Sequence, residues 1–598
     1  MSVVDSTPAA RRASSPGRRR IRWSRPVFLV VGVLVMSAGV VFRVGRFGFN
    51  PSDQGFVLAG AWRILHGEIP HVDVVSPRPL GSAYLHIADF LVPAPLMLAS
   101  GFVMLVQLSV ATIALAALLT GTSPLQWGPL RMCLVAAAVL VNLNTFPVMA
   151  WHTVDGVFLA AAGWWALDHG LRAQARWARW LGLFCLGFAV IVKQSFAFTV
   201  LLGVLILLLH PAVRSRRFRW GRFVADLLWL GAAPLLYFGM VAVAGGLPDA
   251  LTQLAGGTQT WGENIYRLWG GTFRAGSVDP RGYIVAAAVG MVLIAGTWRL
   301  RDRLGRGGDW IRLIVAGAVA VITVGVVVAG RFEHASYWSF AVLWIFLVAS
   351  VCDGIVRRRF PWQRLLVVAL AWMSTLSWGY PFPSLLAGTM VLGTLDLLIC
   401  AVADLRWPHI PAPRTLGVLA GVIVVGAAGV QLTAAHDRAP YADLPQWQLT
   451  AHLGTAAPAM RGVRSNPAVG AYLTQIRDCL TRYPASNVAV LPDDAFVYPV
   501  FKVHNPFPMD WPLPMEMVGD GKQRMVDAAR QLDRNGDYLV LFQAVTTEAL
   551  AEGRQPYGSV PPEIGTAGHS DVEPRIRAAL TGQKISCGSL AGVWSPRG

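Results

Sequence analysis

Asp53 stands in the run Asn50-Pro51-Ser52-Asp53-Gln54-Gly55, just after the first apolar segment of the chain. A carboxylate there can take a proton from a hydroxyl as a general base. It can also offer oxygen to a divalent cation, or cap a helix that begins at Gln54. The polar stretch that holds it, 47–89, also carries His66, Glu68, His71, Asp73, Arg78, His86 and Asp89. A connection of that length is usually functional. Asp73, with His71 close by, suits acceptor hydroxyls or a turn.

The cations form a second set. Lys193 interrupts an apolar run, where an ionisable side chain marks function by default. Phosphate is its natural partner; the alternative is a side chain that snorkels to the interface. Arg331 and His334, in the run GRFEHASYW at 330–338, suit the same phosphate, as does Arg78 between Pro77 and Pro79. His152 and Asp155, in MAWHTVDG, suit either substrate binding or a helix cap. No CxxC or HxxxH spacing occurs, so no metal ligand is assigned and a divalent cation stays an open possibility. Cys479 and Cys587 lie in the polar C-terminal part and can pair in an oxidising compartment.

These residues need a scaffold, and composition names it. The 598 residues have a mean hydropathy of +0.50 and are 54% hydrophobic and 14% charged, with a net charge of +18. The positive charges fall between apolar runs rather than on one polar face. That pattern fits the inner side of a membrane, where Lys and Arg accumulate, and not nucleic acid. Residues 1–25 read as a disordered basic tail. The run 26–44 reads as an uncleaved first helix.

Twelve further apolar runs follow, so about thirteen helices are expected if a span takes roughly 20 apolar residues, with tolerance for short ones. The region 181–209 reads as two short spans meeting at Lys193, or as one kinked helix. Arginine-rich connections at 172–179, 214–222, 299–312, 357–364 and 406–414 alternate with arginine-poor ones. The alternation favours two spans, puts the N-terminus inside, and gathers the chemical loops on the outer face. The loop 245–281 carries Trp261, Tyr266, Trp269 and Phe273 at helical spacing, for an interfacial anchor or a flap over the lipid path. Residues 436–598 read as a small outer α/β domain, with a helix at 467–482 and strands at 487–491 and 537–542. The expected fold is thus an α-helical polytopic membrane protein, 26–435, with a C-terminal extracytoplasmic α/β domain.

One order of motifs runs through the helical part. Asp53 is followed by His66, Gly67, Pro70 and Asp73, by the prolines Pro77 and Pro79, by Lys193-Gln194, and by GRFEHASYW. This order resembles the GT-C superfamily of integral-membrane glycosyltransferases. The resemblance implies an inverting enzyme that takes a sugar from a polyprenyl-phosphate donor. The acceptor would be a glycan, lipid or protein on the outer face of the cytoplasmic membrane. It implies Asp53 as the base, with Lys193, Arg331 and His334 on the departing phosphate. Many relatives carry a second acid where this chain has Gln54, so a metal in the first loop is not implied. A lipid-linked substrate transporter and a noncatalytic cell-envelope subunit are the readings from other classes.

Overall fold

A computed structural model of the chain describes residues 21–214, 219–265, 280–330, 337–377, 380–403, 414–565 and 571–597. Each apolar run forms a helix, because in a membrane the backbone must satisfy its own hydrogen bonds. Eight helices among the described residues are long and apolar enough to cross a membrane. Five more occupy predicted positions: Pro129–Leu143, His152–Ala173, Arg176–Val192, Phe198–Leu209 and Trp362–Thr375. The about thirteen helices expected are thus present, eight of them meeting the length and apolar composition of a full span and five shorter or more polar. The causes are visible in two of the five. His152–Ala173 carries His152, Asp155, Asp168 and Arg172, and Arg176–Val192 is cut short at Lys193. The first helix begins at Ile21, within the stretch read as a tail, and passes through a π turn at Val41–Gly45.

Lys193 is extended, with φ −160° and ψ 135°, and the chain folds back through a 3-10 turn at Gln194–Ala197. Thr199 Oγ1 then donates to the Leu186 carbonyl at 2.8 Å, so two helices pack as a hairpin with Lys193 at its tip. The ends of the bundle agree with the alternation of the loops. At one end Arg25 reaches the Leu125 carbonyl at 3.1 Å, and Arg131 pairs with Asp396 at 3.0 Å. At the other, Arg43 pairs with Asp437 at 2.8 Å and Gln431 donates to the Val327 carbonyl. Between them Asn142 clasps three helices. Its Nδ2 donates to Thr112 Oγ1 at 2.9 Å and Thr389 Oγ1 at 3.0 Å, and its Oδ1 accepts from the Thr389 N–H.

The C-terminal part forms a four-stranded mixed sheet. Its strands are β3 (Asn487–Leu491), β4 (Tyr538–Gln543), β5 (Gln583–Cys587) and β6 (Leu590–Ser595), after the short ribbon β1 (Ala451–His452) and β2 (Arg464–Ser465). Spatial order is β3-β4-β6-β5, with β3 and β4 parallel and the other pairs antiparallel. The helix Pro467–Arg482 matches its expected bounds: Asn466 accepts from the Ala468 and Val469 N–H groups, and Pro467 opens the first turn. β4 begins one residue later than expected because Asp537 turns with φ 54°. Cys479, on that helix, is joined to Cys587 in β5.

The first loop is bound into this sheet domain. The Gly48 N–H donates to the Arg464 carbonyl at 2.9 Å, and the Val75 N–H to the Pro508 carbonyl at 2.8 Å. The loop also has secondary structure of its own, with helices Phe56–Leu65 and Gly81–His86.

Candidate active site

The turn that carries Asp53 is built by its neighbours. Asn50 Oδ1 accepts from the N–H groups of Ser52 at 2.8 Å and Asp53 at 3.0 Å. Gln54 is buried and accepts from the Asn50 N–H at 3.1 Å, so an uncharged amide at this position serves the turn. Gly55 has φ 120°, and a Cβ there would lie 2.5 Å from Phe496 Cα. Only glycine lets this turn press on the sheet domain. The helix that follows starts at Phe56 with Gly55 as its N-cap and no side-chain cap, so Asp53 is not spent on capping.

Asp53 is half-buried, and Tyr441 donates its hydroxyl to Oδ2. Tyr441 comes just after the last long helix, and its ring lies 5.9 Å from that of Tyr380. Burial pushes the Asp53 carboxyl above its ordinary range. Tyr441 works against that shift, and the charge of Glu548 adds to it. A partly exposed carboxylate with a raised pKa is suited to accept a proton near neutral pH.

Arg78 and His152 line a small cavity of about 40 Å³, and Lys193 follows Val192 of its wall. Phe56, Arg78, His152, Val192, Trp511 and Glu516 are among its walls. Arg78 donates to Glu516 of the sheet domain and lies 5.2 Å from the Phe56 ring. Lys193, next to Val192, is buried, and its Nζ donates to Thr153 Oγ1 at 3.0 Å. Gly81 lets the first loop approach here, since a Cβ would fall 2.4 Å from the Ile191 carbonyl oxygen. Trp151 bridges the two halves of the site: its ring is 4.8 Å from His152 and 6.3 Å from Tyr380.

Three expected residues face elsewhere. Asp155 is buried and accepts from Ser82, while its Oδ1 meets His86 Nε2 at 3.1 Å. It is not a cap: the His152–Ala173 helix has no side-chain cap. His86 also meets Asp89 at 2.8 Å; burial alone would lower its pKa, but Asp155 and Asp89 outweigh it and hold the ring protonated. His71 is buried against Gln253, with Nδ1 2.9 Å from Oε1. Asp73 is exposed and closes a turn by accepting from the Ile69 N–H at 2.7 Å. Arg331 and His334 lie outside the described residues, as do Tyr266, Trp269 and Phe273. The same connection holds a helix over Leu247–Ile265, which ends before those three residues. Among the described residues no group of three His, Cys, Asp or Glu side chains is arranged to hold a metal ion.

Sequence reasoning missed the partners from the C-terminal part. Tyr441 pins Asp53, Glu516 pairs with Arg78, and Trp511 Nε1 donates to Ser52 Oγ at 2.9 Å. Asp510 holds the buried Arg63 at 2.7 Å. Three of the four lie in the run DWPLPMEM at 510–517, whose acids and Trp between prolines were the available signal.

The fold and the site together define a multi-pass helical membrane protein whose polar loops and sheet domain close over one end of the bundle. No family model and no curated protein sequence matches the chain. Among solved structures it is similar to ArnT from Cupriavidus metallidurans in the apo state, at 12% identity and a TM-score of 0.42, over 90% of this chain and 96% of that one. It is also similar to the arabinosyltransferase EmbB from Mycobacterium smegmatis, at 14% identity and a TM-score of 0.32, over 74% of this chain and 44% of that one.

Proposed function

We propose that this chain is an inverting GT-C-like glycosyltransferase that moves a sugar from a polyprenyl-phosphate donor to an acceptor hydroxyl on a glycan, lipid or protein. The observation that supports the reading is that the polar first loop and its neighbours hold a half-buried carboxylate, Asp53, bound by Tyr441, and two cations, Arg78 on the wall of a cavity and Lys193 next to Val192 of that wall.

In this mechanism Asp53 takes the proton of the acceptor hydroxyl as its oxygen attacks the anomeric carbon. The bond from that carbon to the phosphate oxygen breaks, and the phosphate leaves with the electron pair. Arg78 and Lys193 stabilise the charge that develops there, which fixed cations do without reorganising. Arg331 and His334 join them on the strength of the sequence resemblance. One displacement inverts the anomeric centre. The cavity of about 40 Å³ is far smaller than a sugar phosphate, so donor binding widens it, and the Arg78–Glu516 pair is the contact that opens in this mechanism. The phosphate would take the place of that carboxylate. The site faces the outer side of the cytoplasmic membrane, with the arginine-rich connections inside.

Donor affinity and single-turnover rate test the division of labour. Asp53→Asn keeps the shape and removes the base, so turnover should fall by about 10²–10⁴-fold while donor affinity changes little. Lys193→Met should weaken donor binding by about ten- to a hundredfold, as expected for the loss of a charge-assisted contact. Normal turnover by Asp53→Asn sinks the assignment of the base, and unchanged donor affinity of Lys193→Met sinks that of the phosphate ligand.

A further inference from the structure

The Arg176–Val192 helix leads from Lys193 to a second cavity at the opposite end of the bundle. Seventeen helical residues span about 25 Å, so this cavity lies near the other membrane face. Its volume is about 230 Å³. Arg176, Arg179, Arg219 and Arg222 line it, against a single carboxylate, Asp226.

Among the described residues this charge is poorly matched. Arg179 is buried, and its Nε lies 2.9 Å from Asp226 Oδ1. The two atoms lack hydrogen-bond geometry, so both stay without a hydrogen bond. Arg176, Arg219 and Arg222 are exposed, and none makes an ion pair among the described residues. Two helices also begin here, Arg176–Val192 and Trp220–Val243, and neither has a side-chain cap. Their first N–H groups and positive dipole ends add to the same field.

The flank is apolar. Leu181, Val224 and Leu228 point outward from these two helices, and the rings of Trp177 and Trp220 are exposed beside the cavity. Indole rings settle at headgroup level. A ligand that satisfies both features has an anionic head and an apolar tail. We propose that this cavity binds the phosphate headgroup of an anionic phospholipid, with Arg176, Arg219 and Arg222 on the phosphate and the acyl chains along Leu181 and Leu228. Basic pockets between membrane helices bind such headgroups. A soluble phosphate shares the head chemistry but makes no use of the apolar flank. The site is separate from the proposed glycosyl transfer and does not depend on it.

Native mass spectrometry of the full chain, released from micelles with equal phosphatidylglycerol and phosphatidylcholine, reads the site. The parent should retain phosphatidylglycerol in preference. The double variant Arg219→Gln/Arg222→Gln should lower that retention at least about tenfold. Arg219→Lys/Arg222→Lys, which keeps the charge, should retain most of it. Arg303→Gln, an exposed arginine on another basic connection, should leave it unchanged. If the double variant does not fold, Arg176→Gln is read the same way. The proposal is overturned if the parent shows no preference between the two lipids. It is equally overturned if Arg303→Gln loses as much lipid as the double variant. Displacement of the bound lipid by millimolar pyrophosphate alone would assign the cavity to a soluble anion and also reject it.

Discussion

At the scale of residues, the site is held together by partners that are far away in sequence. Tyr441 lies 388 positions from Asp53 and donates to it. That hydrogen bond favours the ionised carboxylate and opposes the effect of burial. A general base works only when ionised, so the rate of transfer should rise with pH through the Asp53 titration. Tyr441→Phe removes the stabilising donor and raises the Asp53 pKa further. The acid limb of kcat/KM should therefore move to higher pH. The loss should be about tenfold on the acid side and should vanish toward alkaline pH. A loss equal at every pH would leave Tyr441 with a structural role only. Glu516 gives a second test of opposite sign. Its carboxylate pairs with Arg78, the contact that the proposed donor phosphate would replace. Glu516→Gln should tighten donor binding, by about tenfold on the scale of one charge-assisted contact. Weaker or unchanged binding would separate Arg78 from the donor phosphate. Asp53, Arg78 and Lys193 were legible in the sequence because charge in an apolar chain is conspicuous. Tyr441 and Glu516 were not, because nothing local to them tells what they face.

At the scale of elements, periodicity and caps carried the reading. The helix Pro467–Arg482 was legible to the residue, since its apolar spacing is regular, and the fold adds the Asn466 cap at its start. The break at Lys193 was legible as well, because a charge there does not fit a continuous span. The hairpin of β5 and β6 was not read from the sequence. Its turn depends on Gly588, with φ 65°, and its pairing with β4 is long-range. Asn142 shows the same limit inside the bundle. From sequence it is one polar residue in an apolar helix. In the fold it hydrogen-bonds Thr112 and Thr389 on two other helices. Asn142→Leu would leave the Thr389 N–H and two hydroxyls without that partner. The expected cost is about 1–2 kcal/mol, the range for hydrogen bonds between membrane helices. A thermal or denaturant unfolding series in detergent measures it. Equal stability of the two proteins would show that the clasp contributes nothing.

At the scale of the whole molecule, the two ends of the bundle differ in their charge. Contacts pair the connections consistently. Arg25 with Leu125 and Arg131 with Asp396 mark one end, while Arg43 with Asp437 marks the other. The cationic cavity of Arg176, Arg219 and Arg222 lies at the end opposite Asp53 and the sheet domain. Arginine is retained on the cytoplasmic side during insertion, so that end should be inside. The Cys479–Cys587 bridge agrees, because disulfides persist in oxidising compartments and the bridge belongs to the sheet domain. Ser559 is an exposed position in the sheet domain, and Ala173 is exposed at the end of the His152–Ala173 helix, just before Arg176. A cysteine placed at Ser559 should react with a membrane-impermeant maleimide in intact cells. One placed at Ala173 should react only after the membrane is opened, with the parent chain as the background. The reverse order of labelling would place Asp53 on the cytoplasmic side. An outer acceptor would then be out of its reach, and the proposed transfer would have to take place on the inner face.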